Sequence, residues 1–206
     1  MKILTRLLQA GALLCLFSPA HALVRCSPLV IDLGNNGIEL GAPGVGVYFD
    51  MNSDGVRDHL QWVRRGGDEG FLALDRSGNG LVDDGAELFG VGTPLELEGR
   101  NAPNGFVGLA QYDQRELGGN DDGLINEADA IWPQLRIWVD LDADGVATYG
   151  EMRTLRSYGI TALETIPKRH RYIDAAGNLI PLWAWAFQKA KPGRALMVDV
   201  FFKKLQ

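Results

Sequence analysis

The stretch LRIWVDLDADGVATYGE, Leu135–Glu151, runs an apolar segment straight into four carboxylates: Asp140, Asp142, Asp144 and Glu151. Left unneutralised, carboxylates at that density repel one another, and a bound cation is the simplest physical remedy. Calcium takes roughly six to eight oxygens, and an EF-hand loop supplies them from its first, third, fifth, seventh, ninth and twelfth places. Asp140, Asp142 and Asp144 fill the first, third and fifth places, and Gly145 stands at the sixth, where the chain must turn sharply. Val146 offers its carbonyl at the seventh, Thr148 stands at the ninth, and Glu151 closes the loop at the twelfth with a bidentate carboxylate. The match to the EF-hand pattern is complete. Ordinary residue usage would give it by chance in a chain of this length on the order of one time in a thousand.

Three further loops follow the pattern less regularly. Asp50, Asn52 and Asp54 fit the first, third and fifth places, Gly55 the sixth and Asp58 the ninth. The twelfth is Gln61, which has no carboxylate, so this site is expected to be weaker or closed by a residue from elsewhere. Asp75, Ser77, Asn79, Gly80 and Asp83 fit the same five places in the next loop, and Glu87 arrives one residue late, within reach if the loop carries an insertion. In the last, Asn120, Asp122, Gly123, Asn126 and Asp129 fit the third, fifth, sixth, ninth and twelfth places. Gly118 stands first there and has no side chain, so Asp113 is needed as a substitute, with Gln114–Gly118 bulged out and Asp121 spare. This loop reads as a site or as a folded remnant paired with the strong one. The run from Asp32 to Glu39 has Gly34 at its third place and reads as a turn without an ion.

Between the loops lie short apolar runs. Leu29–Leu33, Gly44–Asp50, His59–Val63 and Phe71–Asp75 read as strands or their approaches, and Phe106–Asp113 as a short helix. Met152, Leu155 and Tyr158 share a helical face, with Gly159 as the C-cap. Beyond Pro167 the chain turns aromatic, and the alternation of Trp183, Trp185 and Phe187 reads as one buried sheet face. The expected architecture is α+β: short strands and helices around irregular EF-hand-like loops in 23–166, with a β-hairpin-like segment in 167–206 packed on them.

Residues 1–22 read as a secretory signal: Lys2 and Arg6, an apolar run from Leu7 to Phe17, and Ala20-His21-Ala22 at the cleavage point. The run is short for a bilayer span, and no later stretch is long and apolar enough. Without Lys2 and Arg6, 18 basic residues face 26 acidic ones, a net charge of −8 that excludes a basic nucleic-acid footprint. Cys26 is then alone, so no intramolecular disulfide can rigidify the exported chain, and metal is the available substitute. The expected location is secreted or periplasmic, the cofactor Ca2+, and the partner class a cell-surface protein or glycan.

Catalytic signals are thin. No G-x-S-x-G or H-E-x-x-H occurs, and only His59 and His170 remain after the signal. Glu39, Asp83, Glu87, Glu96 and Glu98 are the carboxylates open to a two-acid hydrolase. No raised-pKa acid is set opposite a base by their spacing, so an enzyme is the rival reading, acting with calcium on a surface polymer or protein. A calcium sensor would need longer flanking helices than these.

The ordered motifs PLVIDLGNNGIEL, GVYFDMNSDGVRDHLQWV, GFLALDRSGNGLVDDGAELFG and LRIWVDLDADG, with GEMRTLRSYGI behind them, carry a resemblance. From Pro28 to Ile166 the chain resembles the calcium-binding EF-hand-like region of exported bacterial proteins of the RTX and iron-regulated type. That region includes a self-processing module, which folds on calcium and cleaves its own Asp-Pro bond. The resemblance implies calcium-completed folding after export. It does not carry over self-cleavage: Ser27-Pro28 stands at that point, and the chain contains no Asp-Pro.

Overall fold

β-Strands joined by glycine turns frame the structure, a computed structural model describing residues 27–190 and 192–206. The predicted signal, Cys15 and Cys26 lie outside the described residues. The strands are β1 (Leu29–Asp32), β2 (Gly46–Phe49), β3 (Asp58–Gln61), β4 (Glu69–Leu74), β5 (Pro94–Leu95), β6 (Arg100–Asn101) and β7 (Leu124–Asn126). They continue with β8 (Leu135–Trp138), β9 (Met152–Thr154), β10 (Ile160–Glu164), β11 (Lys168–Ile173), β12 (Leu179–Gln188) and β13 (Arg194–Phe201). Nine of them form one antiparallel sheet in the order β7-β10-β12-β13-β1-β4-β8-β9, with β11 also on β12. β2–β3 and β5–β6 are separate hairpins.

This corrects the α+β expectation. The single α-helix among the described residues is α1, Gly105–Ala110, and the other helical pieces are 3-10 turns of three or four residues. The fold is mostly β. The helix expected after Glu151 is instead β9, followed by a 3-10 turn at Leu155–Tyr158. Met152 pairs with Trp138 across β8–β9, which a helix would forbid. Gly159 does end that turn in the left-handed conformation.

The sheet is covered on both faces, so its central strands are buried throughout and read as unbroken apolar runs. Leu29 and Ile31 of β1, Leu72 and Leu74 of β4, and Ile137 of β8 pack on one side with Phe89, Phe106 and Leu109. Val30, Phe71, Ala73, Trp138 and Val198 face the other side, where Phe49, Trp62 and Phe202 fill the core. Asn104 caps α1, its Oδ1 accepting the Val107 amide at 3.0 Å.

The C-terminal alternation is in place, but its buried side is the opposite one. Ala184 and Ala186 are fully buried, whereas Trp183, Trp185 and Phe187 are half-exposed. A basic group covers each tryptophan: Lys168 Nζ lies 4.5 Å from the Trp183 ring centre and the Arg194 guanidinium 4.0 Å from that of Trp185. The two rings, with Ile38, His170 and Tyr172, line a cleft of about 370 Å³. No helix among the described residues is long and apolar enough to cross a membrane.

Candidate cation-binding loops

The loops share one backbone device. In each, the first carboxylate turns inward and accepts the amides of the fifth and sixth places. Asp140 takes Asp144 at 3.2 Å and Gly145 at 2.8 Å. Asp50 takes Asp54 and Gly55, and Asp75 takes Asn79 and Gly80. Asp113 takes Asp122 and Gly123, and Asp32 takes Asn36 and Gly37. Among the described residues, the non-glycine residues at positive φ are Asn35, Ser53, Asp121 and Ala143, each at the fourth place of one of these loops. Gly78 holds that place in the Asp75 loop, also at positive φ.

The Asp140 loop is the most complete. Ligand oxygens of Asp140, Asp142 and Asp144 lie within 4.8 Å of one another, a spacing that could hold a metal ion. Asp140 is buried, while Asp142 and Asp144 are exposed. Glu151 is buried and braces the loop from its far end. Its Oε1 accepts the Leu141 amide at 3.0 Å, and its Oε2 accepts the Thr148 amide and hydroxyl, each at 3.0 Å. The Trp62 indole donates to Asp140 Oδ2 at 2.7 Å from the aromatic core, so loop and core share one hydrogen bond. Burial pushes the Asp140 carboxyl above its ordinary range; the Trp62 indole and the Gly145 and Asp144 amides pull it down, and the Glu151 charge pushes it up.

Glu87 takes the corresponding place in the Asp75 loop. Its Oε1 accepts the Arg76 and Ser77 amides and its Oε2 the Asp83 amide, much as Glu151 serves Leu141 and Thr148. Ser77 and Asn79 turn their side chains to Asp83. In the third loop Asp113 reaches the first place and Arg115–Leu117 bulges out as a 3-10 turn. The spare Asp121 pairs with Arg115. Asn120 bonds Asp122. Asp129 accepts the Asn126 amide through Oδ2, while its buried Oδ1 has no hydrogen-bond partner. Burial raises the Asp129 pKa against the pull of that amide, and Asp113 and Asp122 add to the rise.

The Asp50 loop closes differently. Asn52 bonds Asp54, and Ser53 donates to Asp84, which sits beyond the twelfth place. Asp58 pairs with Lys204. Gln61, at the end of β3, turns instead to the segment that leads into β2, donating to the Gly41, Ala42 and Val45 carbonyls.

The carboxylates open to hydrolysis are committed elsewhere. Glu39 pairs with Arg64, Glu96 with Arg76 and Glu98 with Arg100. The Arg76 hydrogen bond holds Glu96 below its ordinary range. Sequence reasoning did not assign Trp62 to the site, and no local signal would have: it lies 78 residues from its partner. Asp84 was missed for the same reason: it meets Ser53 from 31 residues away.

The SPM domain family model matches residues 29–203, nearly all of the described chain, so this chain belongs to the SPM domain family. It is 43% identical over 139 residues to the iron-regulated protein FrpA of Neisseria meningitidis serogroup C. The match takes in 66% of this chain and 12% of that protein, so the chain corresponds to a small part of its relative.

Proposed function

We propose that this SPM-domain chain is a calcium-binding module of an exported protein, folded to completion by Ca2+ and acting in a structural or interaction role. The observation that carries the reading is the Asp140 loop: three converging carboxylate oxygens, a bracing Glu151, and a first ligand anchored to the core by Trp62. Without an ion, buried Asp140 and its acidic neighbours cost free energy through desolvation and mutual repulsion. A divalent cation would reverse both effects. Export into millimolar calcium, which residues 1–22 and the FrpA relationship support, would supply it. Filling one site at about 100-fold over its Kd adds ~2.7 kcal/mol, a large share of a typical net stability of about 5–15 kcal/mol. A non-catalytic role is favoured by the missing Asp-Pro bond and by the ion pairs that occupy Glu39, Glu96 and Glu98.

The test is thermal unfolding in EDTA, in millimolar calcium and in millimolar magnesium. A rise in Tm that is specific to calcium and lost in Asp140→Ala/Asp144→Ala supports the reading. A Tm indifferent to calcium would leave these loops as turns and overturn it.

A further inference from the structure

β11 leaves an edge of the main sheet open. It prolongs β10 along β12: β10 pairs with Ala186–Gln188, and β11 with Leu179–Trp183. β7 stands outside β10, but no strand among the described residues stands outside β11. All six residues of β11 are exposed. Such an edge presents a row of unpaired amides and carbonyls, which another extended backbone can satisfy in register.

The side chains of β11 say what that backbone should carry. In a chain of 26 acidic and 20 basic residues, this strand reads Lys168-Arg169-His170-Arg171. Among the described residues, Lys168, Arg169, Arg171 and Arg194 form no ion pair. Asp174, just beyond the strand, is turned to Asn178. Apolar surface lies on both sides of these charges. Lys168 pairs with Trp183, which packs on the Trp62–Phe71 side of the sheet, and Arg169 with Leu182, which packs on the Leu29–Phe106 side. On the first side, the parallel rings of His170 and Tyr172 border the tryptophan cleft, whose floor is the buried Ile180 and Val198. On the second, Arg169 and Arg171 line a hollow with Leu182 and Phe201. Side chains of an added strand alternate between the two faces.

These features select among occupants. A second copy of β11 would set Lys and Arg against Lys and Arg, and like charges facing each other across a strand pair are destabilising. A glycan or a lipid headgroup would use the cations but leave the backbone edge unpaired. We propose that β11 is a docking edge for an extended acidic segment of a partner protein. The segment adds as a strand outside β11, sets carboxylates against Lys168, Arg169 and Arg171, and lodges an apolar side chain in the Trp183–Trp185 cleft. The edge does not draw on the calcium loops, and binding is measured in millimolar calcium, so its failure and that of the calcium reading are distinguishable.

The probe is a dye-labelled, capped nonapeptide of alternating Glu and Val, followed by fluorescence anisotropy. Its Lys–Val counterpart, its backbone N-methylated form, heparin fragments and phosphatidylglycerol vesicles are compared with it. The Glu–Val peptide should bind with a salt-sensitive Kd, the Lys–Val peptide about tenfold more weakly, and the N-methylated peptide should not bind. Lys168→Glu/Arg169→Glu/Arg171→Glu changes exposed side chains that have no ion pair, and it should reverse the preference between the two peptides. That gain is one a misfolded variant could not show. No binding of the Glu–Val peptide, equal binding of its N-methylated form, or an unreversed preference in a variant with unchanged circular dichroism would each overturn the proposal. Heparin or vesicles bound in place of the peptide would assign the face to a glycan or a membrane. Self-association without peptide binding would assign it to a second copy. Either result would overturn the proposal too.

Discussion

Trp62 does two jobs with one side chain. Its ring packs 4.9 Å from Phe71 and 5.3 Å from Phe202, centre to centre, and its indole N–H holds the first carboxylate of the strongest loop. Trp62→Phe should therefore cost about 2 kcal/mol of metal-free stability through the cavity it leaves. It should also weaken calcium binding at the Asp140 loop, since one of the bonds orienting Asp140 is gone. Urea unfolding in EDTA and a calcium titration read the two effects separately. Lost stability with unchanged affinity would mean that the Asp144 and Gly145 amides orient Asp140 unaided. Asp199 is the other residue whose surroundings make a prediction. It is fully buried on β13; Gly105 donates to its Oδ1, and its Oδ2 and the neighbouring Ser27 Oγ lack hydrogen bonds of good geometry. Burial pushes its carboxyl up to about 7, against the pull of the Ser27 hydroxyl and the Gly105 amide. A folded pKa raised above the unfolded value of about 3.9 makes the folded state the better proton binder. Its contribution is full below the unfolded pKa, falls as pH rises, and is lost by the folded value near 7. Asp199→Asn should remove that slope, raising Tm relative to the parent at pH 8 while changing it little at pH 4. Equal pH profiles would show that the carboxyl finds a partner and ionises freely.

At the level of elements, β12 decides whether alternation has been read on the correct face. Ala184 and Ala186 pack at full burial opposite Met197 and Ala195, while Trp183 and Trp185 cover the other side under Lys168 and Arg194. Ala186→Leu should cost about 1–3 kcal/mol by overpacking, more than Trp185→Ala costs at a half-open ring. Chemical denaturation of the two variants measures the order, and the reverse order would place the core on the tryptophan side. The period of two was legible in this strand, but its parity was not. Large rings usually mark the inside, and only tertiary structure shows that the alanine face is the one packed into the core with Leu29, Phe106 and Leu163. The same limit explains Met152–Tyr158: apolar residues three apart fit a helix, yet three of these residues pair with β8 before a single 3-10 turn begins. The loops were far more legible, because their Asp and Gly residues act over five or six positions. Even the out-of-register Glu87 turns back to accept the Asp83 amide, and the distant Asp113 accepts the Gly123 amide. Asp68 meets the Asp32 loop beside Gly34 through space rather than through spacing, so no sequence pattern announces it.

Taken as a whole, the molecule is closed by its first described strand, which is why its fold class could not be read locally. β1 lies between β13 and β4, pairing Leu29 with Asp199 and Val30 with Phe71, partners far away in sequence. Its four residues are all buried. Without it, the order β7-β10-β12-β13 would be cut from β4-β8-β9, and the two core clusters would lose the residues that join them across the sheet. The Asp140 loop sits wholly in the second part, between β8 and β9, and is built from local sequence, but its anchor Trp62 belongs to the core that β1 helps to enclose. Burying Leu29, Val30 and Ile31 contributes roughly 1.5–3 kcal/mol each, comparable with the ~2.7 kcal/mol of one well-filled calcium site. Calcium therefore should not replace the strand. A chain beginning at Leu33 is expected to show no cooperative unfolding and no near-ultraviolet circular dichroism, even in millimolar calcium, whereas the parent gains both stability and signal. Cooperative, calcium-stabilised unfolding of the shortened chain would mean that the two parts of the sheet dock without β1, and that metal rather than the central strand holds this architecture together.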